Sequence, residues 1–244
     1  MCGRFANVRK AKELADELAA TIASGTEGWS GSYNIGPGRE SPILVEVPDR
    51  RLGLARFGLT STSGQLLLNA RSETLGQRSA FAEAAARRRC IVPATGFYEW
   101  EPRHGKKVPH YVHPEAEALL LLAGVYEVLH DEAGARHTRF AIVTVPARAP
   151  VDRIHERMPL LVPQGLLDSW LLRGELPVED ALAAIAAATP VGLAMHAVSS
   201  DVGRAANDDP HLVIEVDPDH ETTGLLDFGP LDSGSPGRAP KPRR

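Results

Sequence analysis

From residue 42 to residue 145 the chain is a succession of short apolar runs, each cut off by glycine, proline or polar residues, and only one stretch among them has helical spacing. The pattern predicts strands at about 42–47, 51–57, 65–70, 90–93, 96–101, 108–113, 118–128 and 138–145, with two more near 192–198 and 211–216. Ala11, Leu14, Leu18 and Ile22 recur at helical spacing and predict an amphipathic helix over 8–23, after which Gly25 to Gly38 reads as loop. Further helices are expected at about 77–89, 164–172 and 177–188, the last opened by Pro177 and followed by Glu179 and Asp180 in its first turn. This long, mixed, non-alternating order argues against a doubly wound α/β fold. It predicts an α+β domain, a twisted, barrel-like mixed or antiparallel sheet flanked by several helices. No Pro-, Gly- or Ser-rich linker divides the chain before residue 230, so 1–230 is expected to be one domain and 231–244, which lacks apolar anchors, a disordered basic tail.

A chain of 244 residues with 43% hydrophobic content can bury an ample core. Its two cysteines, Cys2 and Cys90, lie far apart and follow no cationic, apolar leader, which points to reduced cytoplasm rather than an exported disulfide framework. Cys90 opens an apolar run and is expected to be a buried structural thiol. No apolar run approaches 18 residues, so no membrane-spanning helix is expected. The nine histidines have neither a CxxC nor an HExxH partner, and no metal or other cofactor is expected. Charge is unevenly placed: residues 1–110 carry 16 basic against 11 acidic side chains, whereas residues 111–230 carry 7 against 19. Such asymmetry permits a local anion-binding face in a chain of net charge −4. Arg87, Arg88 and Arg89, at an expected helix end, are read as solvated cations opposing the helix dipole.

Cysteine at position 2 stands directly behind Met1. Loss of that methionine would leave an amine and a thiol on adjacent atoms. An α-amine titrates near 7.7–8.0, so at about pH 7.5 roughly a third of it is neutral and nucleophilic, against about one lysine in a thousand. The amine can form an imine with an aldehyde and the thiol can trap it as a five-membered thiazolidine. The alternative is that a cysteine falls at this position by accident.

Three internal stretches carry candidate chemistry, each with a plainer alternative. Asn69-Ala70-Arg71-Ser72-Glu73-Thr74 lies where an expected strand gives way to a turn, so its polar residues are either site or capping residues. Gly96-Phe97-Tyr98-Glu99-Trp100 sets a carboxylate among aromatics, which would desolvate it and raise its pKa, as suits a general acid or base. Period-two alternation would instead turn Glu99 to solvent. His155-Glu156-Arg157-Met158-Pro159 is expected in a loop after the run Phe140 to Val145, where a histidine is a surface residue or a catalyst.

Taken in order with Met1-Cys2-Gly3-Arg4-Phe5, Tyr33-Asn34-Ile35-Gly36-Pro37 and Ala123-Gly124-Val125-Tyr126-Glu127, these stretches resemble the successive signatures of the SOS response-associated peptidase (SRAP) family. The resemblance implies a protein, expected to act as a monomer, that binds single-stranded DNA at an abasic site. It links its N-terminal cysteine to the sugar aldehyde as a thiazolidine and so shields the lesion. On this reading Cys2 is the nucleophile, Glu99 moves protons during imine formation and His155 assists ring opening and closure. Asn69 would hold the N-terminus and sugar in register. The resemblance also assigns Glu99 to removing whatever precedes the cysteine, a step that ordinary methionine removal replaces when only Met1 is there. Phosphates would fall to Arg4, Arg71 and Arg157, with Arg78 a looser match, and Asn34, Pro37 and Thr144 would line the site. The chain departs from the family at Ala55-Arg56-Phe57-Gly58-Leu59-Thr60, where tryptophan is usual, which leaves Phe57 as the expected stacking platform for bases at about 1–3 kcal/mol per base. Two other functions suit the residues: a peptidase or amidohydrolase with a terminal cysteine nucleophile, and a non-covalent nucleic-acid binder in which Cys2 is incidental.

Overall fold

The computed structural model describes residues 2–61, 63–171 and 176–219. In chain order the first elements are β1 (Phe5–Asn7), α1 (Ala11–Glu17), β2 (Thr21–Ile22), β3 (Ser32–Ile35), β4 (Glu40–Glu46) and β5 (Arg50–Phe57). A small hairpin, β6 (Leu59–Thr60) and β7 (Leu66–Leu67), leads into β8 (Asn69–Arg71) and α2 (Ala82–Arg87). Five longer strands follow: β9 (Arg89–Ala94), β10 (Gly96–Arg103), β11 (Lys106–Pro114), β12 (Leu120–His130) and β13 (Arg136–Pro146). The short β14 (Arg157–Pro159), α3 (Leu167–Leu171), α4 (Val178–Ala187) and β15 (Leu193–Ala197) complete the set.

Five strands close on themselves. In the order β13, β12, β9, β4, β5 each pairs antiparallel with the next, and β5 returns to β13 in parallel through Arg56 opposite Arg139 and Phe57 opposite Phe140. The result is the α+β fold with a mixed barrel that the residue pattern predicts. Side-chain alternation sorts the two faces of each strand. On β13, Phe140 and Ile142 join Phe57, Cys90, Val92, Leu122 and Tyr126 in one cluster, while Ala141 and Val143 pack outward beneath Ala84, Trp170, Ala181 and Ile185 of the helices. A barrel wall covered on both faces accounts for the near-continuous apolar run Leu120 to Tyr126, all of it buried. A second, antiparallel sheet in the order β15, β11, β10, β1, β3 carries the N-terminal segment.

Several expectations change. The helix expected over 8–23 stops at Glu17, because Ala19 takes a positive φ and Thr21–Ile22 pair with β5 instead. The helix expected at 77–89 is confined to Ala82–Arg87, and the strand expected at 65–70 is divided into β7 and β8. The strand expected at 211–216 is a 3₁₀ turn, Pro210–Val213, whose first amide donates to the Asp209 side chain. Arg89 is not solvated: it is buried under α3, with its guanidinium 5.6 Å from the Trp170 ring and Nη2 donating to the Leu176 carbonyl at 2.9 Å. Cys90 is the buried free thiol expected. The expected tail at 231–244 lies outside the described residues. Among the described residues no helix is long and apolar enough to cross a membrane.

Phe57 is not a base platform. Its ring is fully buried, stacked on Phe140 at 5.2 Å between centroids and edge-on to Phe5 at 5.6 Å. It plugs the barrel where β5 meets β13, and the chain turns away at once through Gly58, whose φ of +111° disfavours any side chain. Phe57→Ala should therefore destabilise the protein by about 3–5 kcal/mol, and Phe57→Trp should overpack the same space at about 1–3 kcal/mol. Denaturant unfolding followed by intrinsic fluorescence checks both values.

Candidate functional site

The first residues are held by β10. Phe5 lies opposite Phe97, and the Tyr98 amide donates to the Arg4 carbonyl at 2.9 Å, which runs residues 2–4 alongside 98–100. Cys2 is fully buried there, its thiol donating weakly to the Arg4 carbonyl at 3.9 Å. Burial, and then the neighbouring Glu99 charge, pushes the thiol pKa far up, so at neutral pH Cys2 holds its proton.

Glu99 points inward, not to solvent. It is 2% exposed and is the one buried acidic side chain among the described residues. Burial raises its pKa, and the nearby His155 opposes that rise. His155 follows a 3₁₀ turn at Val151–Arg153 and presents Nε2 4.0 Å from Glu99 Oε2. His155 Nδ1 lies against the backbone of Arg157, 2.9 Å from its amide nitrogen and 3.0 Å from its carbonyl oxygen, which holds the ring with Nε2 toward Glu99. A thiol, a carboxyl and an imidazole that are remote in sequence thus converge.

The other expected residues divide in two groups. Asn69 lies on β8 beside Ile142 of β13, and its Oδ1 is buried without a hydrogen-bond partner among the described residues, an acceptor available to an incoming donor. Arg4 is half-buried against Gly36 and donates to Asn34 Oδ1 at 2.7 Å, while Arg71 is exposed and unpaired among the described residues. Pro37 is exposed in the turn after β3, and Arg78 is exposed with its guanidinium 5.7 Å from the Phe81 ring.

Three residues expected to touch DNA are placed behind the surface instead. Arg157 directs both terminal nitrogens inward, pairing with the two Glu73 carboxylate oxygens and donating from Nη2 to the Thr144 carbonyl at 2.7 Å. Its side chain is 10% exposed, so it braces the backbone that carries His155 rather than meeting a phosphate. Thr144 is buried under that guanidinium, with Oγ1 3.4 Å from Nη2. Asn34 is buried too: its Nδ2 donates to the carbonyls of Val202, Arg204 and Asn207, while its oxygen holds Arg4.

Residues 1–205 match the SOS response associated peptidase (SRAP) family. The chain belongs to that family. It is 30% identical to the abasic site processing protein YoaM of Bacillus subtilis over 70% of this chain and 79% of that one. It is 28% identical to the abasic site processing protein HMCES of Gallus gallus over 89% and 78% of the two chains. Among solved structures, a protein from Bacteroides thetaiotaomicron superposes with a TM-score of 0.76 at 22% identity, covering 88% of this chain and all of the other. A phage-related protein from Bordetella bronchiseptica does so at 0.65 and 26% identity, covering 81% and 94%. The SRAP match ends at residue 205, just short of Asn207 and of Asp208, which accepts from Ser32 Oγ at 2.8 Å and from the Tyr33 amide at 2.6 Å.

Glu73 was legible in the sequence only as part of a turn; its partner lies far along the chain. The Arg157 guanidinium holds the Glu73 carboxyl down to about 2, against about 4.3 in an unfolded chain. A folded pKa below the unfolded one stabilises above the unfolded value and is lost as pH falls through the folded one. Glu73→Gln should therefore lower the melting temperature at pH 7, and the difference from the parent should vanish between about pH 4.3 and 2. Thermal melts across that range check the direction.

Proposed function

We propose that this protein processes abasic sites in single-stranded DNA by forming a thiazolidine with the sugar aldehyde through Cys2, once Cys2 has become the first residue. The observation that carries the reading is the convergence of a buried thiol, the buried Glu99 carboxyl and the imidazole of His155 beside β1. The relatives' designation as abasic site processing proteins supports it.

The α-amine adds to the open-chain aldehyde of the abasic sugar to give a carbinolamine. Glu99, whose burial keeps it protonated above the ordinary carboxylate range, gives its proton to the carbinolamine hydroxyl, which leaves as water. The resulting iminium faces the Glu99 carboxylate. Cys2 then passes its thiol proton to that carboxylate as sulfur attacks the iminium carbon, closing the ring and restoring the acid. One water is released and no electron is transferred to or from an outside group. In this proposal His155 Nε2, 4.0 Å from Glu99 Oε2, relays protons to and from Glu99 and the sugar oxygens, and Asn69 Oδ1 accepts from the amine or a sugar hydroxyl. Arg4 and Arg71 remain the phosphate contacts, which makes binding sequence-tolerant and salt-dependent.

Cys2→Ala should abolish an adduct that survives denaturing electrophoresis with abasic but not intact oligonucleotide, and Cys2→Ser should leave at most a labile species. A heat-stable adduct in full yield from Cys2→Ala would sink the mechanism. A peptidase role would appear instead as cleavage of other chains with no DNA adduct.

His155→Ala and Glu99→Gln should slow crosslinking by up to about 10²–10⁴-fold, while affinity for a non-reactive abasic analogue changes little. Because Glu99 acts first as an acid, the parent rate should fall as pH rises through its raised pKa, and Glu99→Gln should lose that alkaline limb. Rates measured from pH 6 to 9 decide it: parent-like profiles in both variants return these residues to a structural role.

A further inference from the structure

The barrel is open at the end away from Cys2. A cavity of about 1250 Å³ occupies that mouth, walled by Val45, Gly53, Tyr126, Val128 and Thr138 from four of the five barrel strands. Along β13, Thr138 lines the cavity, Phe140 belongs to the ring stack and Thr144 lies at Arg157. Six residues of strand separate Thr138 from Thr144, about 20 Å. The cavity is therefore no part of the Cys2 site.

Its charge is one-sided. Five arginines, Arg51, Arg56, Arg87, Arg88 and Arg136, share the lining with a single carboxylate, Glu40. Arg56 is engaged by Glu40 at 3.3 Å and Arg88 by Glu83 at 3.0 Å. Arg51, Arg87 and Arg136 are exposed and have no ion-pair partner among the described residues. They come from β5, the end of α2 and the start of β13, so three different elements direct free guanidinium groups to one rim of a chain whose net charge is −4. Beneath them the wall turns apolar, and Val47 at its edge is 40% exposed.

Guanidinium groups are suited to phosphate oxygens, and the mouth of a β-barrel is a recurrent ligand site. An apolar wall under a cationic rim matches a phosphate joined to a flat, weakly polar body. We propose that this mouth binds a nucleotide unit, its phosphate on Arg51, Arg87 and Arg136 and its base against the Val45, Val47 and Val128 wall. The unit comes either from a free nucleotide or from a strand extending beyond the Cys2 site. The strand source rests on the proposed function; the free source does not.

The test uses the full chain and Arg51→Ala/Arg136→Ala, two exposed positions whose loss leaves the core intact. Deoxythymidine 5′-monophosphate and inorganic phosphate are titrated by calorimetry. Abasic-analogue strands of about five and about 25 nucleotides are titrated by fluorescence anisotropy across a salt series. Saturable nucleotide binding that is tighter than phosphate and at least tenfold weaker in the double variant identifies a free-nucleotide site. A double variant that binds the long strand three- to tenfold more weakly, with a salt slope reduced by about two and the short strand unaffected, identifies the strand source. Nucleotide held no tighter than phosphate, together with an unchanged ratio of long- to short-strand affinity, overturns the proposal. Crosslinking of a short abasic strand, measured alongside, reports on the Cys2 chemistry alone, so failure of either idea is seen separately.

Discussion

Everything in this fold hangs on one short parallel contact, where β5 meets β13. The other joints of the barrel are antiparallel pairs, whereas this one must bring together strands separated by most of the sheet. The Phe57 and Phe140 rings stack at the joint, and the Gly58 amide donates to the Phe140 carbonyl at 2.8 Å. Closure abolishes the open edge that β13 would otherwise offer to another chain. It also fixes where β13 points along its length, so one strand serves the arginine-rimmed mouth, the ring stack and the Arg157 brace in turn.

At the Cys2 end, burial and pairing drive two carboxyls in opposite directions. Glu99 is withdrawn from water, which raises its pKa, and Glu73, half in solvent, is kept charged by a bidentate guanidinium. Taking a carboxylate out of water carries a desolvation penalty, so burial at this position favours the protonated form of Glu99. The two carboxyls thus differ in kind: one is buried beside Cys2 and His155, the other fixes the geometry of Arg157. The brace acts through the backbone: Arg157 fastens β14 to β13, and its own amide and carbonyl hold His155 Nδ1.

The sequence disclosed the barrel strands because their apolar runs are long and buried on both faces, and it disclosed the motif residues because they cluster locally. Helix lengths were misjudged where a tertiary pairing overrode periodicity, as at Thr21–Ile22. The burial of Arg157, Asn34 and Phe57 is not legible in the sequence for another reason. An arginine, an asparagine and an aromatic ring look alike in sequence whether they face a ligand or hold the residue that does, and only the partner decides. Those partners, Glu73, the carbonyls of Val202, Arg204 and Asn207, and Phe140, are all remote along the chain.

The Asn34 side chain gathers three carbonyls from residues 202–207 on one amide nitrogen and the Arg4 guanidinium on its oxygen. Seen from the laboratory bench, this knot sets a minimum length for any shortened form of the protein. A chain trimmed to the family boundary at residue 205 would keep every signature motif yet discard Asn207 and Asp208, loosening β3 and with it Arg4, which Asn34 holds. The extent of the family match and the extent of the packed unit do not coincide here, and it is the few residues beyond the former that anchor β3.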